Sequence, residues 1–194
     1  FQGLYTPAPA YRTNIAELAA RLGDAYRLAV LSGDDDREQE RLRGWFGPRA
    51  DLHFQQKPAD KREAVQQRQA AGGTVLMLGD GLNDAGALRQ ADVGVAVTDD
   101  IASFSPACDA ILDAARLADL PGLLAFSRRT VRVIHACFAL SLAYNAVGLA
   151  YAMRGTLSPL VCAVLMPVSS VTVVGFALLA TRWSARRSGL REAA

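Results

Sequence analysis

The sequence predicts an α/β fold with a parallel sheet, followed by a hairpin of two transmembrane helices. Short apolar segments alternate with helix-like segments through residues 1–130, and this alternation is typical of parallel sheets. Asp, Glu, Lys and Arg are then missing from two long runs, 21 residues at 133–153 and 27 residues at 155–181. At ~1.5 Å per helical residue, either run can cross a hydrocarbon layer of ~30 Å.

Four helices are predicted in the first part of the chain. The first is amphipathic, because Ile15, Leu18, Ala19 and Leu22 recur at helical spacing. The second and third are rich in charged and polar residues, and a Gly-Gly pair ends the third. The predicted helices cover residues 12–22, 36–47, 58–72 and 84–91.

Five strands are predicted between and after these helices, each a short apolar run. The clearest is "TVLML", which ends at the glycine of "GDGLND". The strand "YRLAVLSGD" is predicted to be buried and to end in a turn. The predicted strands cover residues 26–34, 51–54, 74–78, 93–97 and 110–112, and residues 113–132 lead into the first apolar run.

Charges at the ends of the two apolar runs predict the membrane topology. By the positive-inside rule, the arginines that flank the outer ends put both chain ends in the cytoplasm. We therefore predict a multi-pass protein of the cell membrane, with the lipid bilayer as a partner. The alternative, two buried helices of a soluble core, requires longer apolar runs than such helices usually have. The flanking arginines are Arg128, Arg129, Arg132, Arg182, Arg186, Arg187 and Arg191, with Arg154 in the connecting turn.

The overall composition excludes other classes. The 194 residues carry a net charge of +2, and membrane topology explains the arginine clusters, so no nucleic-acid partner is predicted. Three isolated cysteines offer no disulfide framework. The charge pattern predicts a soluble domain at 1–127 and a two-helix transmembrane segment with a short basic tail at 128–194.

Polar residues suited to phosphoryl transfer follow three predicted strands, where parallel sheets gather their reactive groups. Ser32 in "LSGD" offers a hydroxyl and adjacent backbone amides to a phosphoryl oxygen. Lys61 in "KPADK" offers a point charge that can span a phosphate and a carboxylate. Asp80 and Asp84 in "GDGLND" offer hard oxygens that suit Mg²⁺, and Asn83 can position the same cluster. Alone, "LSGD" is an ordinary turn and "PADK" a helix start, but the set predicts phosphoryl transfer.

The motifs "LSGD", "KPADK" and "GDGLNDAGAL" resemble the phosphorylation domain of P-type ATPases, within the haloacid dehalogenase superfamily. The resemblance implies a haloacid dehalogenase-like, Rossmann-type parallel sheet, with Mg²⁺ and ATP as the cofactors of the full pump. It implies that Lys61 neutralises the transferring phosphoryl group and that Asp80 and Asp84 handle Mg²⁺, beside Asn83. The other residues that it implicates are Ser32, Gly33 and Asp34 at the phosphoryl group, and Gly79 and Gly81 as cofactor-binding residues.

The apolar part of the chain extends this resemblance. "AYNAVG" (143–148) and "MPVSS" (166–170) are similar to the last two membrane helices of the heavy-metal-transporting class, in its copper(I) branch. The resemblance implies that Tyr144, Asn145, Met166 and Ser170 belong to a copper(I) site. A thioether suits Cu(I), and Met166 and Ser170 share a helix face. The alternatives are hydrogen bonds between helices for the polar residues and simple packing for Met166.

The catalytic nucleophile of the family is not found in this sequence. The family's aspartate lies in a D-K-T-G-T stretch, and its membrane part carries a Cys-Pro-Cys element; neither occurs here. Two Asp-rich stretches invite comparison with a nucleophile motif, Asp34 with Asp36 and Asp99 with Asp100. The residues around them do not fit that motif. The sheet is therefore expected to be incomplete, without its nucleophile strand.

Three functions follow from these observations. The leading hypothesis is the carboxy-terminal portion of an ATP-driven heavy-metal exporter, most closely of copper(I), that acts through an aspartyl phosphate formed outside this chain. The isolated chain is then an inactive part of a P-type ATPase, and its partner is the remaining pump with the nucleophile and nucleotide-binding domain. The alternatives are an inactive membrane-anchored module that binds Mg²⁺ or phosphate and regulates or completes a pump, and a stand-alone phosphatase that uses Asp34.

Overall fold

A computed structural model describes residues 14–80, 82–99, 108–155 and 158–188 of the chain. By contact, the chain divides into two units, Phe1–Leu120 and Pro121–Ala194. This division falls a little before the boundary at 127/128 that the charge pattern suggests. The assignment of the two parts to separate functional domains stays a prediction.

Helices and parallel strands alternate in the first unit, which confirms the predicted α/β fold. The helices are α1 (Ile15–Gly23), α2 (Gln39–Phe46), α3 (Pro58–Ala70) and α4 (Ala85–Gln90). The strands are β1 (Ala29–Leu31), β2 (Asp51–His53), β3 (Leu76–Gly79), β4 (Val93–Thr98) and β5 (Ala110–Asp113). Short 3-10 turns precede α2 at Asp36–Glu38 and follow β5 at Ala114–Asp119.

The strands form two parallel sheets rather than one. One sheet pairs β1 with β2, and the other has the order β3-β4-β5. No pairing joins β1 to β3 within the described ranges, so each has one strand neighbour. The prediction that the first strand is buried is wrong for this reason: Ala29 is exposed, and Val30 and Leu31 are only half-buried.

Part of the hydrophobic core of this unit lies around β4, which has a strand neighbour on each side. The helices α3 and α4 pack side by side, and α4 covers β3 and β4. Burial of apolar side chains between the helices and the sheet drives this packing. The core side chains of the first unit are Leu18, Ala19, Leu22, Leu42, Ala50, Val65, Ala87, Leu88, Val95, Ala96, Ala114 and Leu120.

Two aspartates fix the start of the three-stranded sheet. The Asp92 carboxylate accepts a hydrogen bond from the Val75 amide (2.7 Å), and the Asp109 carboxylate accepts one from the Gly94 amide (2.8 Å). Gly94 must lack a side chain, because a Cβ there would collide with the carbonyl oxygen of Leu88. The register of β3, β4 and β5 is therefore set by side chains as well as by strand pairing.

The second unit contains two long helices, α5 (Leu120–Met153) and α6 (Pro159–Arg187). Both are long and apolar enough to cross a membrane, judged by length and composition. The apolar windows of these helices are exposed, unlike those of the core helix of a soluble protein. α5 continues unbroken from Leu120 through the predicted lead-in, and α6 continues through Pro167.

We predict that Asp92→Asn reduces stability at neutral pH and has little effect in acid. The hydrogen bond from the Val75 amide, helped by Gln69, holds the pKa of Asp92 below its ordinary value of 3.8. A carboxyl whose pKa is lowered by folding stabilises the fold above its unfolded-state pKa. That contribution is lost as the pH falls through its folded-state pKa. Urea unfolding of the detergent-solubilised chain, followed by Trp45 fluorescence in a Trp183→Phe background, measures the effect.

The matched control is Asp24→Asn, because the exposed Asp24 side chain makes no hydrogen bond to another described residue. The difference in unfolding midpoint between wild type and Asp92→Asn is expected to shrink below about pH 4, whereas Asp24→Asn differs little from wild type throughout. An Asp92→Asn difference that stays constant from pH 6 to pH 3 contradicts this account.

Candidate functional site

A largely buried ion pair joins two of the predicted site residues. Lys61 Nζ lies 2.8 Å from Asp84 Oδ1, and the two side chains are only 13% and 12% exposed. Taking two charges out of water is costly, so such a pair persists only when each charge compensates the other. The pair therefore fixes the position of both side chains.

The local structure of two helix starts positions this pair. Lys61 lies in the first turn of α3, which begins at Pro58, and Asp84 is the residue that precedes α4. The Asp84 carboxylate does not cap α4. It accepts a hydrogen bond from Lys61 instead. Further along, the Gln69 and Gln90 side chains hydrogen bond to each other (2.9 Å) and hold α3 against α4.

Gly79 provides the space that the Asp84 side chain occupies. A Cβ on Gly79 would lie 2.7 Å from both the Cβ and the Oδ2 of Asp84, closer than real Cβ atoms approach. The glycine that ends β3 is thus required for the position of a site carboxylate. Its predicted role in cofactor binding stays a prediction.

The second carboxylate of the motif lies at the end of β3. Asp80 is exposed, and its Oδ1 accepts a hydrogen bond from the Leu82 amide (3.2 Å). Asn83 is exposed as well, and Gly81 lies outside the described residues. Asp80 and Asp84 therefore lie on either side of a short loop at the carboxyl end of one strand.

The two carboxylates at this strand end suit Mg²⁺ better than a metal ion that is held by protein side chains alone. The described residues contain no group of three His, Cys, Asp or Glu side chains that could hold a metal by themselves. Two carboxylates are enough for Mg²⁺, which usually keeps several waters and takes further ligands from phosphate. Lys61 occupies Oδ1 of Asp84, and Oδ2 makes no hydrogen bond to another described residue.

A compact turn after β1 holds the predicted phosphoryl-contacting group. The Ser32 hydroxyl accepts a hydrogen bond from the Asp34 amide (3.1 Å) and donates one to the Asp34 carboxylate (3.2 Å). Gly33 and Asp34 are exposed, and Ser32 is half-buried. The hydroxyl and the exposed backbone of this turn lie at the carboxyl end of β1, where sheets of this kind bind their ligands.

The loop between β2 and α3 connects this turn to the helix that carries Lys61. The Gln55 amide donates to the Asp34 carbonyl and the Gln56 amide to the Ser32 carbonyl, both at 2.9 Å. Gln55 adopts a φ of 57°, an uncommon conformation for a residue other than glycine. Two predicted groups are therefore held as units, Ser32 with Asp34 and Lys61 with Asp84. No hydrogen bond or ion pair within the described ranges joins one pair to the other.

The membrane unit holds the other predicted residues. The Met166 side chain is 72% exposed, and its carbonyl accepts hydrogen bonds from the Ser169 and Ser170 hydroxyls (2.8 and 3.2 Å). Tyr144 Oη donates to Thr172 Oγ1 at 3.4 Å and so joins α5 to α6. Asn145 is exposed.

Sequence reasoning missed two polar side chains near these groups. Thr172 is the partner of Tyr144, and only its place two residues after Ser170 could have drawn attention to it. Asp113 ends β5 and accepts a hydrogen bond from the Ala115 amide (2.8 Å), so a further carboxylate lies at the carboxyl ends of the strands. Among the Asp-rich alternatives, Asp36 and Asp99 are exposed, and Asp100 lies outside the described residues.

Comparison with known families agrees with this geometry. Residues 5–92 match the haloacid dehalogenase-like hydrolase family. The chain is 34% identical over 159 residues to the copper-transporting ATPase 1 of Rhizobium meliloti. The alignment covers 78% of this chain and 19% of that protein. It is 35% identical over 184 residues to a zinc-exporting P-type ATPase of Mycobacterium marinum. This alignment covers 89% of this chain and 24% of the relative. The chain thus spans about a fifth to a quarter of the length of these relatives.

A solved structure shares the fold of most of the chain. A crystal structure of a zinc-transporting PIB-type ATPase in the E2.Pi state superposes with a TM-score of 0.69 at 23% identity. The match covers 94% of this chain and 28% of that one. The parallel α/β unit and the two apolar helices therefore occur together in a solved P-type ATPase.

We predict that Gly79→Ala destabilises the chain through Asp84. The new methyl group overlaps the Asp84 side chain, and overpacking of this kind costs about 1–3 kcal/mol. In an Asp84→Gly background the overlap disappears, so the same substitution should then be close to neutral. Unfolding free energies of the four variants of this cycle, from urea titrations, measure the coupling.

Gly44→Ala is the control substitution, because an added Cβ at Gly44 in α2 meets no atom within 4 Å. Replacing this helical glycine is expected to be neutral or slightly stabilising. Equal costs for Gly79→Ala with and without the Asp84 side chain would show that Gly79 acts on something other than Asp84.

Proposed function

Because this chain carries a haloacid dehalogenase-like hydrolase domain and is homologous to copper- and zinc-exporting P-type ATPases, we propose that it forms the carboxy-terminal part of an ATP-driven heavy-metal exporter. The observation that carries the proposal is the buried pair of Lys61 and Asp84 at the end of β3. A structural ion pair would not need a second carboxylate, Asp80, exposed beside it. A phosphoryl-transfer site needs all three charges.

Lys61 would stabilise the phosphoryl group while its ammonium remains paired with Asp84. An ammonium has three N–H donors, and Asp84 Oδ1 occupies one of them. The remaining two can donate to phosphoryl oxygens, and the positive charge offsets the charge that develops there. Asp84 prevents the side chain from turning to solvent, so the charge is already in position.

Asp80 and Asp84 would hold Mg²⁺ at the carboxyl end of β3. Bound there, the ion supplies charge neutralisation to the phosphoryl oxygens. The Ser32 hydroxyl and the backbone of Gly33 and Asp34 would orient the phosphoryl group. The hydrogen bonds of Ser32 to Asp34 hold that hydroxyl in place in advance.

The strand with the catalytic aspartate would come from the rest of the pump and lie between β1 and β3. The Ser32 amide donates to the His53 carbonyl, so alternate amides of β1 face β2, and the Leu31 amide faces the other edge. The Val75 carbonyl likewise accepts from Val93 of β4, and this leaves the Leu78 amide on the outer edge of β3. A parallel strand between these edges would pair with both sheets and end beside Ser32 and Asp80.

Copper(I) is the cargo that the membrane unit supports best. The exposed Met166 thioether is a soft ligand, and Ser169 and Ser170 turn their hydroxyls to the Met166 carbonyl. Tyr144, tied to Thr172, and Asn145 on α5 complete the proposed set. Both chain ends would lie in the cytoplasm by the distribution of arginines.

The second candidate is an inactive membrane-anchored module that binds Mg²⁺ or phosphate and completes or regulates a pump. The observation that favours it is the pair of Lys61 and Asp84 with the exposed Asp80, because these groups can bind Mg²⁺ or phosphate without a nucleophile. The two candidates differ in what ATP turnover requires. A pump part needs the nucleophile strand to be added, whereas a regulator acts on a pump that already has its own nucleophile strand.

We predict that the chain purified in detergent binds Cu(I) and that Met166→Ala weakens the affinity by about tenfold or more, because a soft ligand is lost. Competition with a Cu(I) chelator measures the affinity. Met153→Ala is the matched control, since the Met153 side chain is 75% exposed at the end of α5 and outside the proposed set. Mg²⁺-dependent ATP turnover, measured in parallel, is expected to be undetectable.

Loss of Cu(I) binding only in Met166→Ala, without turnover, supports the pump assignment. Equal loss in both methionine variants means that any exposed thioether suffices and contradicts the site. ATP turnover by the chain alone would contradict the external nucleophile, and an Asp34→Asn variant would then test the phosphatase reading.

A further inference from the structure

Positive charge accumulates at one end of the membrane unit. From Leu120 to Arg191 the sequence has eight arginines and no Asp or Glu. Six of them lie near the start of α5 or the end of α6. The Arg129 guanidinium donates to Ser188 Oγ at 3.4 Å, so these two helix regions are adjacent.

A subset of these arginines faces the helix contact. At 100° per residue, Arg187 shares a face of α6 with Ser184 and Ser188, whereas Arg186 lies on the opposite side. On α5, Arg132 follows Arg129 by three residues and so shares its side of the helix. We call Arg129, Arg132 and Arg187 the arginine face.

The arginine face is held by polar and aromatic neighbours. The Ser188 hydroxyl donates to the Ser184 carbonyl at 2.9 Å while it accepts from Arg129. The Arg187 guanidinium lies 4.0 Å from the centre of the Trp183 ring, and Trp183 is 59% exposed. Trp at the end of an apolar helix is typical of the headgroup region of a membrane.

We propose that the arginine face binds the phosphate of an anionic phospholipid headgroup where the two helices leave the bilayer. Guanidinium groups match phosphate with paired N–H donors, and they retain their charge there. A lipid fits better than a soluble phosphate, because the exposed Trp183 ring lies against Arg187, and Phe176, which is 40% exposed on the same side of α6, can contact an acyl chain. The site rests on the proposed membrane crossing of α5 and α6.

Quenching of Trp183 by lipids with brominated acyl chains tests the proposal. The chain carries two tryptophans, so a Trp45→Phe background leaves Trp183 as the only reporter. The chain is reconstituted in phosphatidylcholine vesicles that contain a small fraction of either brominated phosphatidylglycerol or brominated phosphatidylcholine. Stronger quenching by the anionic lipid at equal fraction is expected, and its excess measures the local enrichment.

Arg129→Gln and Arg187→Gln should each reduce this enrichment about tenfold, the effect expected when a charge-assisted hydrogen bond to the phosphate is lost. Arg186→Gln is the matched control, with the same charge change at the same helix end but on the opposite side of α6, and should reduce it much less. Quenching by brominated phosphatidylcholine checks that each variant is inserted.

The outcomes separate this site from the proposed function. Equal quenching by both lipids overturns the site and leaves the membrane assignment intact, whereas no quenching by either overturns both. Equal effects of Arg129→Gln and Arg186→Gln mean diffuse attraction and contradict a site. Inorganic phosphate that abolishes the enrichment would assign the face to a soluble anion, and enrichment that survives it supports the lipid.

Discussion

The ion pair of Lys61 with Asp84 is the interaction on which the rest of the site depends. Both side chains are nearly removed from water, so neither charge is stable there without the other. Gly79 leaves the space for the carboxylate, and Gln69 with Gln90 keeps the two helices together behind it. The pair thereby positions the Lys61 ammonium at the carboxyl end of β3, the strand that Asp80 follows. A positioned positive charge is what phosphoryl transfer requires most from a protein.

The unpaired edges of β1 and β3 are the second constraint. Parallel sheets are usually covered on both faces and paired across their width, because free backbone groups attract other strands. Among the described residues only β4 has strand neighbours on both sides, and β1 and β3 stay half-exposed. A single parallel strand would satisfy both edges and bring the Ser32 turn and the Asp80 loop to the same end of one sheet. The two unpaired edges and the proposed external nucleophile strand would then have one explanation.

Local patterns predict much of this fold, and long-range contacts account for what they miss. The alternation of strands and helices, the "GDGLND" loop and the two apolar helices follow from short stretches of sequence. The division into two sheets does not, because long-range contacts decide which strand edges pair. The partnership of Tyr144 with Thr172 spans 28 residues and depends on how α5 and α6 meet. The predicted partnership of Lys61 with a carboxylate could be anticipated from its chemistry, but the choice of Asp84 required the structure.

Hydrogen exchange at the strand edges tests the central claim most directly. The detergent-solubilised chain is compared alone and with a synthetic peptide that has an apolar strand followed by D-K-T-G-T. The account predicts that protection of the Leu31 and Leu78 amides rises about tenfold or more on addition of the peptide, while the Val30 and Met77 amides, which face β2 and β4, change much less. Strong protection of Leu31 and Leu78 in the chain alone, or binding of the peptide without any change at either amide, would contradict a sheet that is completed between β1 and β3.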